Sequence, residues 1–213
     1  MSRRWRRRAD DPFNRPWREI DYAVVDLETT GLDLRRDAIA SYGATVIHHG
    51  RMIAAHNTYG LVRPGCPLSP KSITIHSLRP GDLADAPPLS AAVDVLLDLL
   101  THRVMIAHAA WVEQSFLSRA FKMHGKQLRC KVIDTAAMAR AADLGTAHLG
   151  VEPELERLAT ELHLPVDSPH HALGDAITTA QVFLALAARL ARRGYETARD
   201  FVDLTTADSV LRR

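Results

Sequence analysis

The run of residues 21–27 (DYAVVDL) constrains the fold more than any other segment of the chain. Its apolar centre predicts a buried strand, and the polar Glu-Thr-Thr-Gly sequence that follows predicts a turn. Asp26 and Glu28 are two positions apart, so a strand would direct both carboxylates to the same face. The chain must therefore adopt a fold that places two acids at the end of a buried strand.

Apolar periodicity predicts that strands and helices alternate along the rest of the chain. Residues 38–47 and 52–62, separated by His48, His49 and Gly50, predict a hairpin after the first strand, so the sheet should be mixed. Further strands are predicted at 104–107 and 132–134, and helices at 73–78, 89–100, 111–124, 135–142, 154–162 and 172–192. This order predicts an α/β fold without internal repeats.

The length and charge distribution predict one domain with two short extensions. The 213 residues are 46% hydrophobic and 24% charged, as in a globular protein. The first 18 residues hold seven arginines and two aspartates, whereas the remainder carries a net charge of −3. We therefore expect a basic, flexible tail at 1–18, a folded domain at 19–193 and a C-terminal extension at 194–213. The tail could bind a polyanion, with Trp5 and Trp17 stacking on bases, or serve only as a solubilising arm.

The sequence predicts neither a membrane span nor a signal peptide. No apolar stretch approaches about 20 residues, and the Arg-rich start runs into Asp10, Asp11 and Pro12. Cys66 and Cys130 lack a C-x-x-C partner, which disfavours a disulfide framework or a thiolate zinc site and suits a reducing compartment. The expected location is the cytoplasm.

Three segments contain candidate functional residues. Asp26 and Glu28 would repel each other unless a cation lies between them, which favours a hard divalent metal, although a solvated acidic rim is also compatible. In the sequence PHHALGD, either His171 shares a helix face with Asp175 or His170 lies in the preceding loop, where a histidine suits a general base. By itself, Glu113 is most simply an acid in the first turn of a helix.

Taken together, the three segments resemble a known set of motifs. D26-L-E-T-T-G31, H108-A-A-W-V-E113 and H170-H-A-L-G-D175 are similar in order and spacing to the motifs of the DEDDh, or DnaQ-like, 3′-5′ exonuclease family. The similarity extends from about residue 21 to residue 190.

The resemblance implies an RNase H-like fold with a mixed five-stranded sheet flanked by helices. It also implies a metal-dependent 3′-5′ exonuclease that releases nucleoside 5′-monophosphates with two Mg²⁺ or Mn²⁺ ions and a histidine base. The residues matched to these roles are Asp26, Glu28, Glu113 and Asp175 as metal ligands, His170 as the base, and Thr29, Gly31, Leu32 and His76 as substrate contacts. The expected partner is single-stranded nucleic acid, with DNA favoured over RNA; a polymerase is a further candidate, and no membrane partner is expected.

The middle motif departs from the family pattern H-N-x-x-F-D. Ala109, Val112 and Glu113 replace the asparagine, phenylalanine and aspartate of that pattern. Glutamate remains a hard oxygen ligand, so we expect activity, with an altered metal preference as one consequence. Two alternatives stay open: an exoribonuclease or short-oligonucleotide hydrolase, and a non-catalytic nucleic-acid-binding module with an impaired metal site.

Overall fold

The computed structural model of the protein describes residues 11–145 and 152–211. Within these ranges the chain forms five strands, eight α-helices and two 3-10 turns, at Pro12–Asn14 and Trp17–Glu19. The strands are β1 (Tyr22–Thr29), β2 (Ile39–His48), β3 (Arg51–Leu61), β4 (Val104–Ala107) and β5 (Val132–Asp134). The helices are α1 (Pro70–His76), α2 (Pro80–Leu83), α3 (Leu89–Leu100), α4 (Trp111–Met123), α5 (Thr135–Ala141), α6 (Leu155–Glu161), α7 (Ala172–Ala191) and α8 (Ala198–Leu211).

The strands form one mixed sheet with β1 at its centre. Their order is β3-β2-β1-β4-β5. β1 pairs antiparallel with β2 and parallel with β4, and β4 pairs parallel with β5. Because the C-terminal ends of parallel strands meet at one edge, the acids that end β1 lie on the edge where α4 and α5 begin. The predicted mixed five-stranded sheet is confirmed.

Alternate residues of β1 face two different hydrophobic cores. Tyr22 and Val24 pack into the core that contains the buried faces of α7 and α8. Ala23 and Val25 pack into a second core formed with α3 and α4. Helices therefore cover both faces of the sheet. By the same alternation, Asp26 lies on the α7 face.

Helix α7 is long and apolar enough to cross a membrane, judged only by length and composition. More than half of its most apolar stretch is buried inside the domain. Phe183 and Leu186 are fully buried in the core shared with β1. The apolar surface of this helix is therefore explained by its packing on the sheet.

Both ends of the described chain differ from the predicted domain limits. Trp17 is only 3% exposed within the core, and Asp11 forms a 2.7 Å ion pair with Arg199 of α8. The expectation of a flexible tail is thus wrong for residues 11–18, and Trp17 is not accessible for base stacking; residues 1–10 lie outside the described ranges. At the other end, Phe201 is fully buried and α8 packs on β5 and α5. Residues 198–211 are part of the domain, not an extension from it.

Gly43 sets how closely α7 approaches the sheet. It lies on β2 opposite Asp26 of β1. A Cβ atom at this position would lie 2.1 Å from the backbone carbon of Ala172 and 2.1 Å from the nitrogen of Leu173. Only glycine allows the first turn of α7 to rest on β2, which brings the acid of that turn beside the end of β1.

We expect Gly43→Ala to destabilise the domain, because the added methyl group meets backbone that cannot move aside locally. Overpacking of this kind costs about 1–3 kcal/mol, and in a chain of this size 1 kcal/mol corresponds to about 2–4 °C. Thermal unfolding followed by circular dichroism measures the change. Gly65→Ala is the matched control, since a Cβ atom there meets nothing within 4 Å. Equal melting temperatures for the two variants would contradict this account of the packing.

Candidate active site

Three carboxylates meet where β1 ends and α7 begins. One oxygen from each of Asp26, Glu28 and Asp175 lies within 4.8 Å of the others. Asp26 and Glu28 share a face of β1 because strand side chains alternate, and Asp175 lies in the first turn of α7. The close approach of α7 at Gly43 brings these parts of the chain together. The structure thus groups three of the four acids predicted as metal ligands.

Glu113, the fourth predicted acid, lies beside this group but outside the 4.8 Å cluster. It is in the first turn of α4 and only 4% exposed. It is close enough to Asp26 for its charge to raise the pKa of that residue. Among the described residues, Oε2 of Glu113 has no hydrogen-bond partner. A buried carboxylate oxygen without a partner is costly unless it is protonated or bound to a cation.

Burial raises the pKa values of all four acids, and repulsion among them contributes for Asp26, Glu28 and Glu113. Burial, followed by the charges of Glu113, Asp175 and Glu28, raises the pKa of Asp26 well above its usual range. Burial raises the pKa of Glu28 to about 8, with a further contribution from the charge of Asp175. Burial likewise raises the pKa of Glu113 to about 8 and that of Asp175 to about 6. The site therefore concentrates negative charge that is unfavourable without a cation.

These residues fit a divalent metal ion. All the donors are carboxylate oxygens, the type that Mg²⁺ and Mn²⁺ prefer. The unpartnered oxygen of Glu113 is an observation of this structure, independent of the motif resemblance. The acidic cluster predicted from the sequence is present, and its chemistry suits a hard divalent cation.

We expect the metal-free protein to lose stability as the pH rises. The folded-state pKa values of Glu28 and Glu113 are about 8, above the ordinary value of 4.5, so the folded state holds more protons between these limits. Unfolding therefore becomes easier from about pH 5 to pH 8. Adding Mg²⁺ at pH 8 should raise the melting temperature by about 5–10 °C at 100 times its dissociation constant.

Differential scanning fluorimetry with EDTA or Mg²⁺, at pH 6 and pH 8, measures this effect. The gain from Mg²⁺ should be larger at pH 8, where the carboxylates are more fully charged. A gain that is equal at both pH values, or absent at both, would contradict a cation site made of these acids. Sodium sulfate at matched ionic strength controls for general salt effects.

The two histidines before α7 have different positions. His170 lies in the preceding loop at φ 59°, and its backbone N–H donates to Asp175 Oδ2 at 3.0 Å. His171 is the N-cap residue of α7, and its ring stacks on Tyr59 of β3 at 4.3 Å between centroids. The sequence left two geometries open. In the structure His170 lies in the loop before α7, and the contacts of the described residues include none between the His171 ring and Asp175.

The predicted substrate residues line the end of β1 and the turn that follows it. Leu32 is 59% exposed, which is unusual for a large apolar side chain. Thr29 donates its hydroxyl to the carbonyl of Gly31 at 2.9 Å. His76 is buried; its Nδ1 accepts from the backbone N–H of Leu78, which leaves Nε2 to donate to the Thr29 carbonyl at 3.3 Å. His76 thus supports the wall of the site with both ring nitrogens occupied.

Sequence reasoning missed two residues near the acids. Oε1 of Glu156, in α6, lies 3.4 Å from Nε2 of His170. Asp134, at the end of β5, is buried and raises the pKa of Glu113 by its charge. No local pattern marks Glu156, because its position follows from how α6 packs on α7. Asp134 could have been found, since it ends a parallel strand beside β4.

Comparison with known proteins identifies the family. A family model described as an exonuclease, RNase_T, matches residues 23–183. The chain belongs to this exonuclease family. The exonuclease domain is similar to a DNA polymerase III subunit epsilon-like protein of Rhodobacter capsulatus, with 30% identity over 85% of this chain and 26% of that protein. The chain thus spans about a quarter of the length of that relative.

Solved exonuclease structures share the fold. Exonuclease X in complex with 5′ overhanging duplex DNA superposes with a TM-score of 0.66 and 24% identity, over 86% of this chain and 99% of that one. E. coli Exonuclease I in complex with a dT13 oligonucleotide gives a TM-score of 0.70 and 15% identity, over 81% of this chain and 42% of that one. The predicted RNase H-like fold and the DnaQ-like family assignment are confirmed.

Proposed function

We propose that the exonuclease domain removes nucleotides one at a time from the 3′ end of single-stranded DNA and releases nucleoside 5′-monophosphates. The observation that carries this proposal is the cluster of Asp26, Glu28 and Asp175 within 4.8 Å, with the unpartnered oxygen of Glu113 beside it. A catalytically impaired binding module would not require four acids, each with a raised pKa, at one point of the sheet.

The four acids would hold two Mg²⁺ or Mn²⁺ ions. When bound, ions of this kind polarise the phosphodiester and lower the pKa of the attacking water. Glu113 would join this set from α4, whereas the other three acids come from β1 and α7. Its longer side chain retains the oxygen chemistry of the aspartate that is usual in the family.

His170 is the proposed general base. Its backbone N–H is bonded to Asp175, so the residue is tied to the acidic cluster through the chain itself. Its ring is about half exposed, which leaves it accessible to water. A neutral imidazole can accept the proton of the attacking water. The Glu156 carboxylate beside Nε2 can hold the ring in one orientation.

The 3′-terminal nucleotide would rest against the turn after β1. Leu32 offers an exposed apolar surface for the base, and Thr29 and Gly31 form the backbone beneath it. His76 fixes the Thr29 carbonyl from below. These contacts are apolar or made by backbone, so they suit any base and a sequence-independent enzyme.

DNA is the proposed substrate because the DNA-bound Exonuclease X and Exonuclease I share this fold. The exoribonuclease alternative differs only in contacts to the 2′ hydroxyl.

A polymerase partner is proposed from the epsilon-like name of the R. capsulatus relative. A cytoplasmic location remains a proposal from the sequence.

Digestion of end-labelled strands tests the proposal. A 5′-labelled DNA strand with Mg²⁺ or Mn²⁺ should give a ladder that shortens by one nucleotide, and a 3′-labelled strand should release labelled mononucleotide first. EDTA should stop both reactions. Matched RNA strands compare the two sugars. Internal cleavage, or cutting from the 5′ end, would overturn the proposal, and faster digestion of RNA would favour the exoribonuclease.

A further inference from the structure

One face of α4 is free of acidic side chains and connects the catalytic edge with the opposite end of the domain. Trp111, Gln114, Ser118 and Lys122 lie at helical spacing and are all exposed. Trp111 is 49% exposed although it is a large aromatic residue. Glu113 is two positions further along the same first turn, on the buried side of the helix. The face thus starts with an aromatic ring in the helix turn that also contains Glu113, and it ends with a lysine.

This face borders two clefts that share one lining residue. A cleft of about 920 Å³ is lined by Trp111, Gln114 and Ser118 of α4 and by Thr205 and Ser209 of α8. Ser118 also lines the next cleft, which contains Lys122 and Lys126. The two clefts share Ser118, and together they form the groove along α4.

The far end of the groove is basic. Residues 122–131 contain Lys122, Lys126, Arg129 and Lys131 and no acid. This contrasts with the net negative charge of the chain after residue 18. On the opposite wall, near the middle of the groove, Asp208 and Glu152 are ion-paired with Arg140 at 2.5 and 3.1 Å. Asp134 accepts from the backbone N–H of Ala136. The acids of that wall are thus partnered, whereas positive charge accumulates at the end.

The dimensions suit a short stretch of nucleic acid. Lys122 is nine positions after Glu113, which corresponds to about 14 Å along a helix. An aromatic ring followed by polar side chains and then cations is the arrangement that binds single strands without sequence preference, through stacking and phosphate neutralisation. A nucleic-acid strand whose 3′ end lies at the acidic cluster would meet the aromatic ring first and the lysines further from that end.

We propose that this surface, the α4 track (Trp111, Gln114, Ser118, Lys122 and Lys126), binds the single strand upstream of the nucleotide being removed. A base stacks on Trp111, and phosphates lie at Lys122 and Lys126. The inference rests on the proposed function, because the strand is taken to enter with its 3′ end at the acidic cluster. It explains how a domain with an acidic site retains an anionic polymer.

Binding is measured by fluorescence anisotropy of 5′-fluorescein-labelled dT12 and dT3 in EDTA, so that no cleavage occurs. Trp111→Ala should weaken binding of dT12 by about tenfold or more, whereas Trp111→Phe should keep most of the affinity. Lys122→Gln with Lys126→Gln should lower the salt dependence of dT12 binding by about 1.4 in log–log slope, at about 0.7 per lost phosphate contact. Arg189→Gln with Arg192→Gln, an equal loss of charge at the end of α7, is the matched control.

Cleavage rates separate this inference from the proposed function. For Trp111→Ala and for the double lysine variant, kcat/KM should fall about tenfold more for dT12 than for the dinucleotide dT2. Equal losses on both substrates, or losses matched by the Arg189 and Arg192 control, would overturn the α4 track. Absence of metal-dependent cleavage in the unmodified protein would instead overturn the proposed function, while the EDTA binding data would still test the track.

Discussion

Asp26→Asn should reduce metal-dependent cleavage by more than about 100-fold. Loss of a residue that only orients a metal ligand typically costs 10–100-fold, and Asp26 is proposed as a direct ligand at the centre of the cluster. The amide keeps the shape of the side chain but removes the anionic charge that a divalent cation requires. Initial rates on a 5′-labelled single strand at saturating Mg²⁺ measure the loss.

The same substitution should leave the fold intact and make the metal-free protein more stable. The pKa of Asp26 is raised by its burial and by the charges around it, so neutralising the residue removes repulsion at pH 8. Thermal unfolding in EDTA tests this point. Asp94→Asn, on the exposed face of α3, is the matched control for loss of one acid. A variant that folds normally and still cleaves at the rate of the unmodified protein would remove Asp26 from the proposed metal site.

His170→Ala should lower kcat by about 10²–10⁴-fold, the range supplied by a well-placed general base. The residue lies in the loop before α7, where its backbone is bonded to Asp175. Added imidazole should restore part of the activity, because a free base can enter a site that is exposed to water. Single-turnover rates, with and without imidazole, measure both effects.

The neighbouring histidine supplies the control for this prediction. The His171 ring stacks on Tyr59 and is thereby turned towards β3. His171→Ala should therefore lower kcat much less than His170→Ala and should show no rescue by imidazole. If the His171 variant loses more activity and is the one that imidazole rescues, the roles of the two residues would be reversed.

Local patterns predicted most of the elements. The helix at residues 89–100 and the strands at 104–107 and 132–134 were predicted with the bounds that the structure has. Each is short and strongly apolar, and is bounded by polar or turn-forming residues, so periodicity alone defines it. That the acids of the three motifs belong to one site came from their resemblance to the exonuclease family.

The errors lie where packing overrides local composition. Trp17 is surrounded by arginines and looks like part of a tail, yet it is buried against Phe183 with ring centroids 6.0 Å apart. Seven of the 14 residues of helix α8 are apolar, but they are scattered, and only Ala198, Phe201 and Val202 of this helix are buried against the rest of the domain. Neither segment has enough apolar periodicity to show its position before the core exists.

The sequence by itself determined the chemistry available to this protein: which carboxylates and histidines lie at the ends of which elements, and the family to which they belong. Only the tertiary structure decided their distances, because Asp26 and Asp175 are brought together by the contact of α7 with Gly43 across the sheet. It also decided the partners that no local pattern shows, Glu156 beside His170 and Tyr59 beside His171. The physical reason is that periodicity reports which face of an element is buried, whereas the pairing of elements depends on packing between residues far apart in the chain.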